Sequence, residues 1–183
     1  SDATRFKYLL AKVNPNHRLN DRLIKVLQSH PEYAPQIASY ISKYAEIPVR
    51  LANDIKTYLD NQDLYHSVLA VLLDACLERL PPPIDNEIGQ TAADRLLRPK
   101  AGALPLQPTY KASLIAWALS TRKLTFAEYE GIVSSEPDWW IKKRSVIGLS
   151  SSIYGAPSYE AFLNDRMREN GSEMARICAA RLV

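Results

Sequence analysis

Apolar side chains recur along the chain at intervals of three and four residues, the spacing that places them on one face of an α-helix. The first such stretch, residues 4–13, carries Phe6, Leu9, Leu10 and Val13. Comparable stretches cover residues 19–29, 31–44, 48–59, 64–80, 84–97, 108–121, 125–134, 137–151 and 158–169. No stretch alternates apolar and polar residues between turn signals, as a strand would. The pattern predicts an all-α protein of about nine to eleven helices.

One longer pattern occurs twice, as VLQSHPEYAPQIASYI at residues 26–41 and as IVSSEPDWWIKKRSVI at residues 132–147. Each copy predicts the end of one helix, a turn and a new helix that opens on proline, because proline lacks an N–H and suits the first helical turn. Ser29 and Ser135 are expected to help cap the helices that end there.

A weaker similarity relates residues 19–38 to residues 51–70. Recurrence of a helical hairpin predicts a HEAT-like repeat stack, an α-solenoid in which each hairpin buries its apolar face against its neighbours. The alternative is chance, because any two amphipathic helices resemble each other.

The boundaries predicted from the sequence give a single α-helical repeat domain at residues 4–183. The longest irregular connection, KAGALPLQP, makes residues 98–108 a candidate subdivision. Three prolines at residues 81–83 are expected to end the helix of residues 64–80, and Asp63 to cap its start. Residues 1–3 read as a cloning remnant or the edge of an excised segment, so the chain is interpreted as one domain of a longer protein.

The composition is ordinary for a globular protein, with 46% apolar and 23% charged residues. The longest wholly apolar run, residues 68–73, is far too short to span a bilayer, so no membrane segment is predicted. Cys76 and Cys178 lie in apolar helical contexts and are interpreted as small buried side chains in a reducing compartment. The predicted location is the cytoplasm.

Motifs that carry catalysis are missing from the sequence: it has no glycine-rich phosphate loop, Gly-x-Ser-x-Gly, His-Glu-x-x-His or Cys-x-x-Cys. The three histidines, His17, His30 and His66, fall near predicted helix ends and are interpreted as cap or surface residues. Asp85 and Glu87 flank a turn and are interpreted as structural. No catalytic residue, metal ligand or cofactor is therefore predicted within this chain.

Positive charge is concentrated in the second half, where residues 92–183 hold 13 basic and 9 acidic side chains. The candidate nucleic-acid-binding residues are Arg122, Lys123, Lys142, Lys143 and Arg144. Two interpretations of the last three stay open. Either they line a groove that receives phosphates, or Arg144 pairs with Asp138 or Glu136 and joins adjacent repeats.

Trp139 and Trp140 stand next to this basic run. Adjacent indoles at the start of a helix can stack on nucleic-acid bases. They can equally pack in the core or at its boundary, as most tryptophans do. The spacing alone leaves both alternatives open.

Two resemblances sharpen these expectations. DWWIKKRSVIGLS, residues 138–150, is similar to the second helix of HEAT-type repeats. Residues 4–44, followed by helical sequence to the end, look like the C-terminal extension of bacterial reverse transcriptases of phage-defence and unassigned groups. That resemblance implies an upstream polymerase domain, an RNA-directed DNA polymerase that uses Mg²⁺.

The Tyr-x-Asp-Asp motif that holds the catalytic metals in that family is missing here, so no catalytic residue is carried over. The expected function is a non-catalytic accessory domain that contributes nucleic-acid or partner binding, with RNA, DNA or the polymerase domain as partner. The alternative is a HEAT-like protein-interaction scaffold unrelated to a polymerase.

Overall fold

The computed structural model describes residues 2–61, 65–148, 155–168 and 176–178, and in these residues it contains helices and no strand. The all-α class is therefore confirmed. A 3-10 helix, Pro31–Tyr33, lies between the second and third α-helices. The α-helices are α1 (Asp2–Lys12), α2 (His17–Ser29), α3 (Ala34–Ile41), α4 (Val49–Leu59), α5 (His66–Cys76), α6 (Pro82–Leu97), α7 (Pro108–Ser120), α8 (Phe126–Ser135), α9 (Trp139–Gly148) and α10 (Ala156–Met167).

The chain divides into two compact units, each formed by two separate stretches of sequence. Unit 1 comprises the residues up to Ile88 together with Pro105–Ser113. Unit 2 comprises Gly89–Leu104 together with the residues from Leu114 onward. The sequence-based boundary, a single repeat domain with a subdivision at residues 98–108, stays a prediction.

In unit 1, α3 packs against both α1 and α5, while α2 packs against α4. A buried polar network joins α2 to α3. The Tyr40 hydroxyl accepts a hydrogen bond from the Asn16 backbone N–H at 2.9 Å and donates one to Asn20 Oδ1 at 3.2 Å. The Tyr44 hydroxyl donates to the same Asn20 oxygen at 2.8 Å. Asn20 can be buried because its carbonyl oxygen has two donors.

A lysine just beyond the end of α3 binds the C-terminal end of α1. Lys43 Nζ donates to the carbonyl oxygens of Leu10, Ala11 and Val13 at 2.7, 2.9 and 3.1 Å. The last carbonyls of a helix have no partner within it, and they carry the negative end of the helix dipole. An ammonium group with three donors therefore both satisfies these groups and fixes the end of α1.

The burial that the sequence predicts for Leu9 of α1 is wrong. The spacing of apolar residues places Leu9 on one face with Phe6, Leu10 and Val13. In the structure Leu10 is buried at 2% exposure, whereas Leu9 is 48% exposed. The spacing allows both leucines on one face, so the difference lies in the orientation of α1, which buries Leu10 and leaves Leu9 exposed.

In unit 2, the core centres on Trp117, Tyr129, Phe162 and Leu163, all of which are buried. The rings of Tyr129 and Phe162 lie 5.3 Å apart, so α8 and α10 share this core. Gly89 of α6 touches Thr121, just beyond α7, so closely that a Cβ at residue 89 would lie 1.9 Å from Thr121 Oγ1.

The end of α5 also differs from expectation. The sequence predicts a helix to residue 80 that the three prolines terminate, but α5 ends at Cys76. Glu78 adopts a left-handed conformation with φ 61° and turns the chain. Pro82 is instead the first residue of α6, where its missing N–H costs nothing. The predicted cap Asp63 lies outside the described residues.

The twice-occurring pattern is realised in part. Both serines before the turn donate to the carbonyl oxygen four residues back, Ser29 to Lys25 at 3.2 Å and Ser135 to Gly131 at 2.8 Å. These carbonyls already accept a helical N–H, so the capping role of the serines stays a prediction. Pro31 opens the 3-10 helix. The second copy differs because α9 begins at Trp139, two residues after Pro137. The side chain of Asp138 accepts the backbone N–H of Trp140 in the first turn of α9.

Burial separates the two copies further. Ile37 and Ala38 of α3 are buried, whereas their counterparts in α9 are half-buried Lys143 and exposed Arg144. Helix α9 buries Ile141 instead. The two helices thus turn different sides of the shared pattern inward, and HEAT-like stacking stays a prediction.

Candidate nucleic-acid interface

The start of α9 is fixed by the acids that precede it. Asp138 Oδ1 accepts the backbone N–H groups of Trp140 and Ile141 at 2.9 and 3.2 Å, so Asp138 is the N-cap. Glu136, buried at 8% exposure, accepts the backbone N–H of Asp138 at 3.0 Å. Both carboxylates are thus engaged by the backbone of the turn, which sets the direction in which α9 leaves it.

The inner side of α9 is defined by two residues one turn apart. Ile141 and Ser145 are 3% and 4% exposed, and the Ser145 hydroxyl donates to the Ile141 carbonyl oxygen at 2.8 Å. Tyr129 of α8 donates its hydroxyl to the Ser145 carbonyl oxygen at 3.1 Å. These contacts fix the rotation of α9 about its axis.

Given that rotation, the outer side of α9 carries the tryptophans and cations. At about 100° per residue, Lys143 and both indoles point away from the direction shared by Ile141 and Ser145. Lys142 and Arg144 lie about 80° to either side of that direction, on the two flanks of the helix. Trp139 and Trp140 are each 43% exposed. Each indole therefore has a large part of its area on the surface, which complete packing in the core would not leave. We call the outer surface formed by residues 139, 140, 142, 143 and 144 the α9 face.

Arg144 lies over an indole rather than beside an acid. Its guanidinium carbon is 5.7 Å from the centre of the Trp140 ring, a cation–π contact between residues one helical turn apart. The side chain is exposed, and within the described part of the chain no carboxylate pairs with it. The structure therefore does not show the pairing of Arg144 with Asp138 or Glu136 that the second interpretation requires.

We expect Arg144→Ala to lower the melting temperature by no more than about 2–4 °C, because an exposed cation–π contact contributes only about 0.5–1 kcal/mol. Thermal unfolding followed by circular dichroism measures this. Lys25→Ala, which removes an exposed cation from α2, is the control. A loss of 8 °C or more, several times that of Lys25→Ala, would mean that Arg144 holds the fold together.

The other two candidates, Arg122 and Lys123, lie in the turn between α7 and α8. The Arg122 N–H bonds to the Leu119 carbonyl oxygen at 3.0 Å and the Lys123 N–H to that of Ala118 at 2.8 Å, the pairing of a Schellman helix end. Arg122 takes the left-handed position with φ 56°, where glycine is usual. These two cations are on a different element from the α9 face, and the contacts that define the face do not include them.

The histidines lie at helix ends as predicted. His17 opens α2, His30 is its C-cap, and His66 opens α5. His66 Nδ1 accepts the backbone N–H of Gln107 at 3.2 Å, which is a structural contact within unit 1. Among the described residues, no group of three or more His, Cys, Asp or Glu side chains is placed to hold a metal ion.

Asp85 and Glu87, interpreted as structural, differ in their surroundings. Glu87 pairs with Lys56 at 3.3 Å and thereby joins α4 to α6. Burial, reinforced by the charge of Glu78, raises the pKa of the Asp85 carboxyl. The ion pair gives Glu87 a structural role, whereas the structural interpretation of Asp85 stays a prediction.

Comparison with known proteins finds no matching protein family, curated protein or solved structure. In the part of the chain that the structure describes, no helix has the length and apolar character needed to cross a membrane.

Proposed function

We propose that the α9 face binds single-stranded RNA or DNA, with Trp139 and Trp140 stacking on bases and the adjacent cations contacting phosphates. The observation that carries the proposal is the exposure of two adjacent indoles, 43% each, on a helix that bears Lys143 between them and Lys142 and Arg144 on its two flanks. Stacking of a base on an aromatic side chain contributes about 1–3 kcal/mol to the free energy of binding.

The arrangement favours single strands over duplexes. Indole rings can stack only on bases whose faces are accessible, and those of a duplex are covered by their neighbours. The Arg144 guanidinium lies over one face of Trp140, so a base would stack on the other face of that indole, with the cation nearby for a phosphate.

In this proposal the chain is an accessory domain of a reverse-transcriptase-related protein in the cytoplasm. Support comes from the resemblance of residues 4–44 to the extension of those polymerases and from the buried thiol of Cys76. Catalysis, with its Mg²⁺, would belong to the upstream polymerase domain. Sequencing the region that encodes the parent protein tests this: a Tyr-x-Asp-Asp motif upstream supports the proposal, and its absence from the complete protein contradicts it.

Nucleic-acid binding is tested by fluorescence anisotropy with a labelled single-stranded oligonucleotide at low salt. Lys142→Ala with Lys143→Ala should weaken binding without unfolding the domain. If both lysines contact phosphates, the slope of log affinity against log salt should fall by about 1.4, because each phosphate contact on a single strand contributes about 0.7 to the slope. Lys25→Ala on α2 is the matched control and should change neither quantity.

The indoles provide a second readout. Trp117 is fully buried, so quenching of intrinsic fluorescence by an oligonucleotide would report on Trp139 and Trp140. Trp139→Ala with Trp140→Ala should weaken binding by about tenfold or more, since two base stacks together contribute at least about 2 kcal/mol and about 1.4 kcal/mol corresponds to tenfold. Unchanged affinity in this variant, or no salt-sensitive binding by the wild-type chain, contradicts the proposal.

The second candidate is a protein-interaction scaffold, and the same exposed indoles favour it. Tryptophan and arginine are the residues most enriched at energetic centres of protein interfaces. Binding that depends on Trp139 and Trp140 but is insensitive to salt, with a protein as the bound species, would select this alternative.

A further inference from the structure

The outer side of α1 carries an apolar pair between two cations. Tyr8 and Leu9 are 59% and 48% exposed. Arg5 and Lys12 are also exposed. The four residues are spaced i, i+3, i+4 and i+7, which places them on one continuous face, opposite buried Leu10.

The two cations bracket the apolar pair along the helix. Arg5 and Lys12 are seven residues apart, or about 10 Å along the axis at 1.5 Å per residue. Lys12 Nζ lies 4.9 Å from the centre of the Tyr8 ring, so charge and apolar surface are contiguous at that end. We call these four residues the α1 face.

This face is presented by a helix whose position is fixed. Lys43 bonds to three carbonyl oxygens at the end of α1, and the rings of Phe6 and Tyr33 lie 5.2 Å apart on the inner side. A partner that docks on a helix already held in place loses less free energy to ordering than one that must first fold its target.

We propose that the α1 face docks an acidic amphipathic helix of another protein, one whose own apolar pair is bracketed by two carboxylates one heptad apart. Charge complementarity supports this occupant, because carboxylates at that spacing meet Arg5 and Lys12 while the apolar pairs meet each other. The proposal is independent of nucleic-acid binding by the α9 face, since the two faces share no residue.

Other occupants fit less well. A nucleic-acid strand carries closely spaced phosphates, whereas the two cations here stand about two helical turns apart with Leu9 between them. A membrane surface is bound through a long apolar stripe, and this face offers only two apolar side chains. These occupants are outcomes that the experiment separates.

The probe is a synthetic helical peptide of about four turns with two adjacent central leucines, one glutamate three positions before the first leucine and one glutamate three positions after the second. A matched peptide carries lysines in place of the glutamates. Titration by anisotropy should show saturable binding of the acidic peptide, and the basic peptide should bind at least about tenfold more weakly.

Two variants of the full chain test the face itself. Arg5→Glu with Lys12→Glu should weaken binding of the acidic peptide by about tenfold or more, and Tyr8→Ala with Leu9→Ala should do the same. Lys7→Glu is the matched control: it reverses an exposed charge on the same helix but lies about 160° around it from Leu9, so binding should change about twofold or less. Circular dichroism verifies that each variant is folded.

Failure of the acidic peptide to bind the wild-type chain overturns the proposal, as does equal binding of the basic peptide or an equal loss in Lys7→Glu. Tighter binding of phosphatidylserine vesicles or of an oligonucleotide through the same four residues also overturns it. Trp139→Ala with Trp140→Ala should leave peptide binding unchanged, so this proposal and the α9 proposal can fail separately.

Discussion

We expect Gly89→Ala to destabilise the protein by about 1–3 kcal/mol, although alanine is the better helix former by about 1 kcal/mol. The added Cβ would lie 1.9, 2.6 and 2.8 Å from Oγ1, Cβ and Cγ2 of Thr121. Thr121 is branched at Cβ and cannot swing these atoms away together. Its hydroxyl also donates to the Trp117 carbonyl oxygen at 2.7 Å, so relief requires the backbones to separate.

Gly131→Ala is the control that isolates this steric effect. Gly131 lies within α8 and an added Cβ there meets nothing within 4 Å. The same substitution should therefore raise the free energy of unfolding by up to about 1 kcal/mol. Urea unfolding of both variants measures the two changes in the free energy of unfolding, which should have opposite signs.

A second-site change tests the cause. Thr121→Gly removes all three atoms that the new Cβ would meet, so adding it to Gly89→Ala should recover much of the lost stability relative to Thr121→Gly alone. Equal losses from Gly89→Ala in the two backgrounds would show that the contact with Thr121 is not what makes glycine necessary.

Alkaline conditions should destabilise unit 1 through two buried acids. Burial raises the pKa of the Cys76 thiol from 9.0 to about 12 and that of the Tyr40 phenol from 10.0 to about 12. The folded state holds these protons more tightly than the unfolded state does. Stability is therefore complete below pH 9, and it falls as pH rises through the window from about 9 to about 12.

The expected size follows from about 1.4 kcal/mol per pH unit and ionising group. By pH 11, Cys76 should account for a loss of about 2–3 kcal/mol and Tyr40 for about 1 kcal/mol. Burial also raises the pKa of Tyr58, which adds to the loss in the same direction.

Urea unfolding at a series of pH values between 7 and 11 measures the slope. Cys76→Ala and Tyr40→Phe will each cost stability at neutral pH, because one leaves a cavity and the other removes a buried hydroxyl from Asn16 and Asn20. Their diagnostic effect is a shallower alkaline slope. A wild-type stability that stays level from pH 9 to 11, or variants with the wild-type slope, would contradict the assignment.

Elements defined by local signals could be predicted from the sequence. Helix α2 begins after Asn16, whose side chain accepts the Leu19 N–H at 3.0 Å, and α8 begins with the reciprocal bonds of Thr125 and Glu128. Such caps involve residues within three positions of each other, so periodicity and proline placement suffice to locate the helices that they bound.

Features set by distant contacts could not be predicted. Lys43 reaches carbonyls that are 30–33 residues earlier in the chain, and no spacing signals that pairing. The same holds for the inward side of α9, which depends on Tyr129 bonding to Ser145. The sequence could therefore identify the basic and aromatic residues of the α9 face but could not determine whether the indoles are buried.

The two units alternate along the chain, each with two stretches of sequence, and this limits how the protein can be divided. Cleavage in residues 98–104, the exposed stretch between α6 and α7, leaves unit 1 without Pro105–Ser113. That piece carries Ser113, whose hydroxyl donates to Asp74 Oδ1 at 2.7 Å, and Gln107, whose N–H bonds to His66. Neither unit is a contiguous length of chain, so an autonomous half requires circular permutation or a redesigned linker rather than a simple truncation.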